Sequence, residues 1–222
     1  MKRNYQVNDF AESTPHELSQ RIAYHEAGHA TAIYLYNKQQ GLPPIFFQIT
    51  LKSDYELARD ALSLNTHKSA ACVEGGYLVQ DLFSSFNHSQ YAMTASEQAE
   101  YLQALDADMI NLLAGAIAEA NYLNLRDDEI LTAQLLTINA LRNYGSASDL
   151  ARVDEYLSYL TDCPQHRQQK LTQLLKQAFE FMTHPKTWKA VKAVAQFILA
   201  SKKQIIRCEE VFAVIDNVTV AI

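Results

Sequence analysis

Two histidines four residues apart, with a glutamate directly after the first, constrain this chain more than any other feature: His25-Glu26-Ala27-Gly28-His29. They lie in a stretch with helical periodicity. Leu18, Ile22, His25, His29, Ile33 and Tyr36 follow one another at spacings of four, three, four, four and three, so both imidazoles fall on the apolar, core-facing stripe. Side chains four apart on a helix stand one above the other, so both rings can reach one metal ion, and Glu26 is placed as general base on a metal-activated water. The alternative is a pair of hydrogen-bonded core histidines, but two imidazoles on an apolar face need partners, and a shared metal supplies both. Thr14-Pro15-His16-Glu17 predicts the start of this helix, with threonine as N-cap, proline at the first helical position and glutamate three residues after the cap. Gly28 with Ala23, Ala27, Ala30 and Ala32 keeps it slim enough for another element to approach closely.

The rest of the chain bounds what surrounds that helix. Its 222 residues suffice for one core, and 48% hydrophobic with 20% charged residues is ordinary globular composition. A net charge of −6, with no basic patch interleaved with aromatics, argues against nucleic acid or an anionic membrane as partner. No apolar run reaches bilayer-spanning length, and Met1 to Phe10 is polar. Cys72, Cys163 and Cys208 are odd in number and widely separated, which suits free thiols in a reducing, cytoplasmic setting. No phosphate-binding G-x-x-x-x-G-K-[ST] pattern occurs.

Gly41-Leu42-Pro43-Pro44 ends the first helix, at about residue 38. Ile45 to Leu51 is β-branched and aromatic and predicts a strand; Tyr77-Leu78-Val79, after Gly75-Gly76, predicts its partner. Between them, Ser53 to Glu74 is mixed, with a short helix at Tyr55 to Leu62, and Ser84 to Tyr91 reads as loop. Thr94-Ala95-Ser96-Glu97 is a second capping box opening a long helix through Ala120. Asp127-Asp128 predicts the start of another, ending at Tyr144-Gly145, and Ser146 to Asp149 caps one running to about Thr161. Pro164 and Pro185 mark two further helix starts, and Glu209 to Asp216 a terminal helix. The expected class is mainly α (α+β): one domain over 1–222, with a small sheet of two or three strands around 45–80 and a helical region over 94–217. Asp106 and Asp108 are expected to face solvent, and His67, His88, His166 and His184 carry no chemistry in this reading.

Tyr24-His25-Glu26-Ala27-Gly28-His29-Ala30 resembles the start of the peptidase domain of the FtsH family of ATP-dependent zinc metalloproteases. Ile45 to Leu51 with Gly76-Tyr77 resembles the family's strand pair, and Leu112 to Glu119 its Gly-x-x-x-Glu helix. Gly145-Ser146-Ala147-Ser148-Asp149-Leu150 resembles the segment whose aspartate is the third zinc ligand, and Trp188 to Ile215 the closing helices. The resemblance implies a zincin-type fold and one catalytic zinc per chain, held by His25, His29 and, across 149 − 29 = 120 residues, Asp149. It implies peptide-bond hydrolysis with Glu26 as general base, on a peptide or unfolded protein added as an extra strand beside Ile45 to Leu51. Glu119 is a reserve ligand, an outer partner of a zinc histidine, or half of a salt bridge.

The chain departs from the family at Ala116 and Ala120, where the family has arginine and glutamate, and in two apparent insertions, 53–74 and 127–143. The family's ATPase and membrane segments have no counterpart in it. Substrates would then be flexible segments, or proteins delivered by a separate ATPase or other partner, and the expected assembly is a monomer or small oligomer. An acidic residue at Asp149 also stabilises a helix N-terminus without metal. A non-catalytic peptide-binding or regulatory module on the same fold is the competing expectation.

Overall fold

The computed structural model describes residues 15–51, 71–79 and 93–219. The Thr14 cap, the Tyr55 to Leu62 helix and the Ser84 to Tyr91 loop lie outside the described residues. The fold is mostly helical with one small antiparallel sheet, as the periodicities predict. No helix among the described residues is long and apolar enough to cross a membrane.

Helix α1 runs Pro15–Thr31 and continues through a π-helical turn, Ala32–Tyr36, into Asn37–Gln39. From Ile22 to Ile33 nearly every side chain is buried, so α1 is a central helix rather than a surface one with a single apolar stripe. Its main neighbour is α2, Ala95–Arg126, which opens on the full Thr94/Glu97 capping box and is buried without a break from Ala107 to Asn121. Small residues make the contact possible. A β-carbon at Gly28 would stand 2.6 Å from the Ala114 carbonyl oxygen and 2.6 Å from the Ala118 methyl. The two backbones therefore touch at this level.

The sheet has strand order β2-β1-β3, with β1 Phe47–Leu51, β2 Ala71–Gly75 and β3 Ile205–Arg207. Both neighbours of β1 are antiparallel, Ile49 facing Val73 on one side and Ile206 on the other. The partner strand runs up to the first glycine of the pair instead of following the pair. Gly75 and Gly76 have φ of +86° and +77°, which ends extended backbone there. Tyr77 to Val79 is held otherwise: the Leu78 and Val79 amides both donate to the Asp108 carboxylate at 2.9 Å. Asp108 is thus fully buried, against the expectation that it faces solvent, because those amides need an acceptor. Asp106, also expected in solvent, is part-buried and binds Lys170 at 2.6 Å.

Asp127-Asp128 stops a helix rather than starting one. Asp128 adopts φ 57° and the Glu129 amide returns to the Asn124 carbonyl at 2.7 Å, a Schellman ending for α2. Of the helix expected between 127 and 143 only one turn forms, α3 (Ile138–Leu141), while Ile130 and Leu135 are exposed. Helix α4, Ala147–Leu160, begins at Ser146 as expected, but the Ser146 hydroxyl donates to the Leu141 carbonyl at 2.6 Å and does not cap. Helices α5 (Pro164–Thr183) and α6 (Pro185–Ala200) start at their prolines, and α7 (Cys208–Thr219) closes the chain. The core joins α1, α2 and the inner face of the sheet to α4, α5 and α6.

Candidate metal centre

Two polar stripes face each other across the tight α1–α2 contact. On α1, Arg21, His25 and His29 recur every four residues; on α2, Asn111, Gly115 and Glu119 do the same. The helices run antiparallel, so the stripes pair in reverse order. Arg21 Nε donates to Glu119 Oε1 at 2.8 Å, Glu119 Oε2 lies 3.2 Å from His25 Nδ1, and His29 Nδ1 lies 2.7 Å from the Asn111 carbonyl oxygen. The Asn111 side chain donates in turn to Asn37 Oδ1 at 3.2 Å.

These contacts fix the imidazoles. A carbonyl oxygen only accepts, so His29 carries its proton on Nδ1 and turns the Nε2 lone pair inward. His25 is oriented the same way by the Glu119 carboxylate. Both Nε2 atoms point to Asp149, whose Oδ2 lies 3.4 Å from that of His25 and 3.3 Å from that of His29. Asp149 stands in the first turn of α4 and is buried. Its Oδ1 has no hydrogen-bond partner among the described residues. One ligand atom from each of the three residues can be chosen with all within 4.8 Å of one another. Gly115 provides the space, for a β-carbon there would fall 2.3 Å from His29 Nε2 and 2.8 Å from His25 Nε2.

Converging acceptor atoms in a buried place call for a shared proton or a bound cation. With protons alone, the burden falls on His25. Burial opposes its charged form, but hydrogen bonds to Asp149 and Glu119, with the Glu26 charge nearby, push its pKa up to about 10. Burial would raise Asp149, yet the His29 and His25 rings hold its carboxyl well below the usual carboxylate range. A divalent ion satisfies the same atoms without a protonated ring. Two imidazole nitrogens and one carboxylate oxygen, with both Nδ1 positions anchored behind them, suit zinc with a further position left for water.

Glu26 points elsewhere. It is buried on the side of α1 facing the sheet, and its Oε2 accepts the Val73 amide of β2 at 2.7 Å. Strand β1, expected to receive an added strand, is flanked on both sides by β2 and β3. Among the described residues, β2 has a strand neighbour on one side only, and its other side is the one that meets Glu26.

His25, His29 and Asp149 come together as the sequence reading expects, despite the 120 residues between the last two. Of the three roles open to Glu119, it takes two, as outer partner of His25 and as ion-pair partner of Arg21. Sequence reasoning missed Arg21, Asn111, Gly115 and Asp108. A signal existed for the middle pair: Asn111, Gly115 and Glu119 interrupt the otherwise apolar run Met109 to Ala120 at one spacing of four. No family model matches this sequence, and no curated protein matches it significantly.

Proposed function

We propose that this chain is a zinc-dependent metallopeptidase, with His25, His29 and Asp149 as the metal ligands and Glu26 as general base. The observation that carries the reading is the convergence of both histidine Nε2 atoms and Asp149 Oδ2 while both Nδ1 atoms are engaged behind them. Zinc bound there supplies Lewis acidity toward a peptide carbonyl and a water. The chain's own residues do the rest. Glu119, steadied by Arg21, holds the His25 ring, and the Asn111 carbonyl holds the His29 ring. Glu26, next in sequence to one ligand, takes the proton of the attacking water and returns it to the leaving amine. An extended peptide lies along β2 instead of β1, since β1 already has two strand neighbours.

Substrates in this reading are peptides or unfolded segments, and folded proteins require a separate unfolding partner. A cytoplasmic location belongs to the same reading, in keeping with three free cysteines. One observation favours a second reading, a peptide-binding or regulatory module without turnover: the Glu26 carboxylate is buried and bound to a backbone amide. Two measurements decide. Metal analysis of protein purified without a histidine tag should give about one zinc per chain, sharply reduced in Asp149→Ala. Zinc-loaded protein should hydrolyse β-casein, and Glu26→Gln should abolish this while keeping its zinc. Stable casein binding by the zinc-loaded wild type without cleavage would establish the second reading.

A further inference from the structure

The peptide groups of β2 divide between two directions. The Gly76 amide donates to the Phe46 carbonyl at 3.0 Å, so even-numbered positions of this segment face β1. Val73, at an odd position, turns its N–H the other way and gives it to Glu26 Oε2 at 2.7 Å. On β1 the Leu51 amide likewise turns from β2 to the Gln204 carbonyl at 2.7 Å. In an antiparallel pair, a residue whose N–H and C=O point outward exchanges both with the residue opposite. Val73 is the residue of β2 whose outward-turned peptide group lies at the level of Glu26.

We propose that the Val73 amide is a shared donor: it holds the Glu26 carboxylate until an extended substrate backbone takes it, so that docking of the chain releases the base. This rests on the peptidase reading above and adds to it which backbone atom recognises substrate and what that contact triggers. A substrate carbonyl opposite Val73 accepts the N–H, and Glu26, losing a charge-assisted bond, turns to the water it deprotonates. A substrate too short to reach Val73 leaves Glu26 engaged. Chain length therefore acts on turnover and not on binding alone, because the contact made along β2 is spent on activating the base. The site thereby selects extended polypeptide over small amides.

The test uses zinc-loaded full-length protein and two blocked peptides built around one bond mapped as a β-casein cleavage site, a dipeptide and a hexapeptide. Wild type should turn over the hexapeptide with a kcat about tenfold or more above the dipeptide. Val73→Pro removes the N–H that faces Glu26 and leaves the bonds between β2 and β1 in place, because that N–H takes no part in them. With no amide left to hold Glu26, it should raise the dipeptide kcat toward that of the hexapeptide, so that the length dependence of kcat disappears. Val73→Ala keeps the N–H and should keep the length dependence. A length effect confined to KM in wild type overturns the proposal, as does a dipeptide kcat that fails to rise in Val73→Pro with its zinc retained. If Val73→Pro fails to fold, the split between kcat and KM in wild type decides alone. Absence of any casein cleavage by zinc-loaded wild type overturns the peptidase reading and the shared donor together, whereas the other negative results overturn only the shared donor.

Discussion

Replacing Gly115 by alanine adds one methyl group to a helix that should welcome it. Alanine in place of a mid-helix glycine contributes about 1 kcal/mol of helix propensity. Here the methyl would stand 2.3 Å from His29 Nε2, 2.6 Å from its Cε1 and 2.8 Å from His25 Nε2. Ordinary contact needs about 3.5 Å, so one or both rings must retreat by about 1 Å. Moving the backbones apart instead would open the close α1–α2 contact at Gly28 and Ala114. A ring moved that far leaves its rotamer, at about 1 kcal/mol. It also weakens the bond behind it, from His29 Nδ1 to Asn111 or His25 Nδ1 to Glu119, at about 1–3 kcal/mol each. For one ring these come to about 2–4 kcal/mol against metal binding, or about 30- to 10³-fold in affinity, and for both rings to about twice that energy. The assay is zinc content after gel filtration, followed by competition with a chromogenic chelator, with circular dichroism to show that helix content is kept. Gly115→Ala binding zinc within about threefold of wild type, a change under 1 kcal/mol, would refute the convergence of the two Nε2 atoms above Gly115.

The metal-free protein should lose stability as the pH rises. His25 has a folded pKa of about 10 against an ordinary 6.5, so its contribution is complete below pH 6.5 and fades as the pH approaches 10. The depressed Asp149 acts oppositely, contributing above the ordinary value of 3.8 and losing that contribution as acid protonates it. Zinc must displace the His25 proton, so calorimetry at pH 7.5 in buffers of different ionisation heat should find about one proton released per zinc; no release would refute the raised pKa. Asp108→Ala removes the shared acceptor of the Leu78 and Val79 amides and should cost about 3–5 kcal/mol in urea unfolding, from two charge-assisted bonds; a loss under 1 kcal/mol would contradict its role as anchor. Gly28→Ala drives a methyl against the Ala114 carbonyl and should destabilise by about 1–3 kcal/mol despite better helix propensity. Unchanged thermal unfolding in that variant would mean the two helices are not in contact there.

How legible the site was depended on whether the signal lay within one element. His25, His29 and Glu26 could be read as one group because a spacing of four and a flanking periodicity are local facts. The α2 stripe was equally local, yet Asn111 and Gly115 gain meaning only once α1 lies antiparallel against α2, with Arg21 at Glu119 and His29 at Asn111. Asp149 could be reached only through a resemblance, since its helix-start chemistry is the same with or without histidines nearby. The errors have a common origin. Ala71 to Gly75 carries little strand propensity of its own and becomes a strand because β1 offers it partners. Asp108 sits in a helix whose periodicity does not reveal that two amides from a distant turn need its oxygens. Asp127-Asp128 has the composition of a helix start, and only the left-handed backbone of Asp128 makes it a stop. Each is a polar or backbone group whose partner lies far along the chain, and hydrophobic periodicity says nothing about such partners. Within this fold those groups concentrate around α1: Asp108 anchors the segment after β2, Val73 of β2 meets Glu26, and Glu26 neighbours His25 in sequence. In the proposed peptidase, the part of the sequence hardest to read is thus the part along which a substrate backbone would reach Glu26, which is why Val73 and Asp108, rather than the histidines, are the residues whose substitution would say most about selectivity.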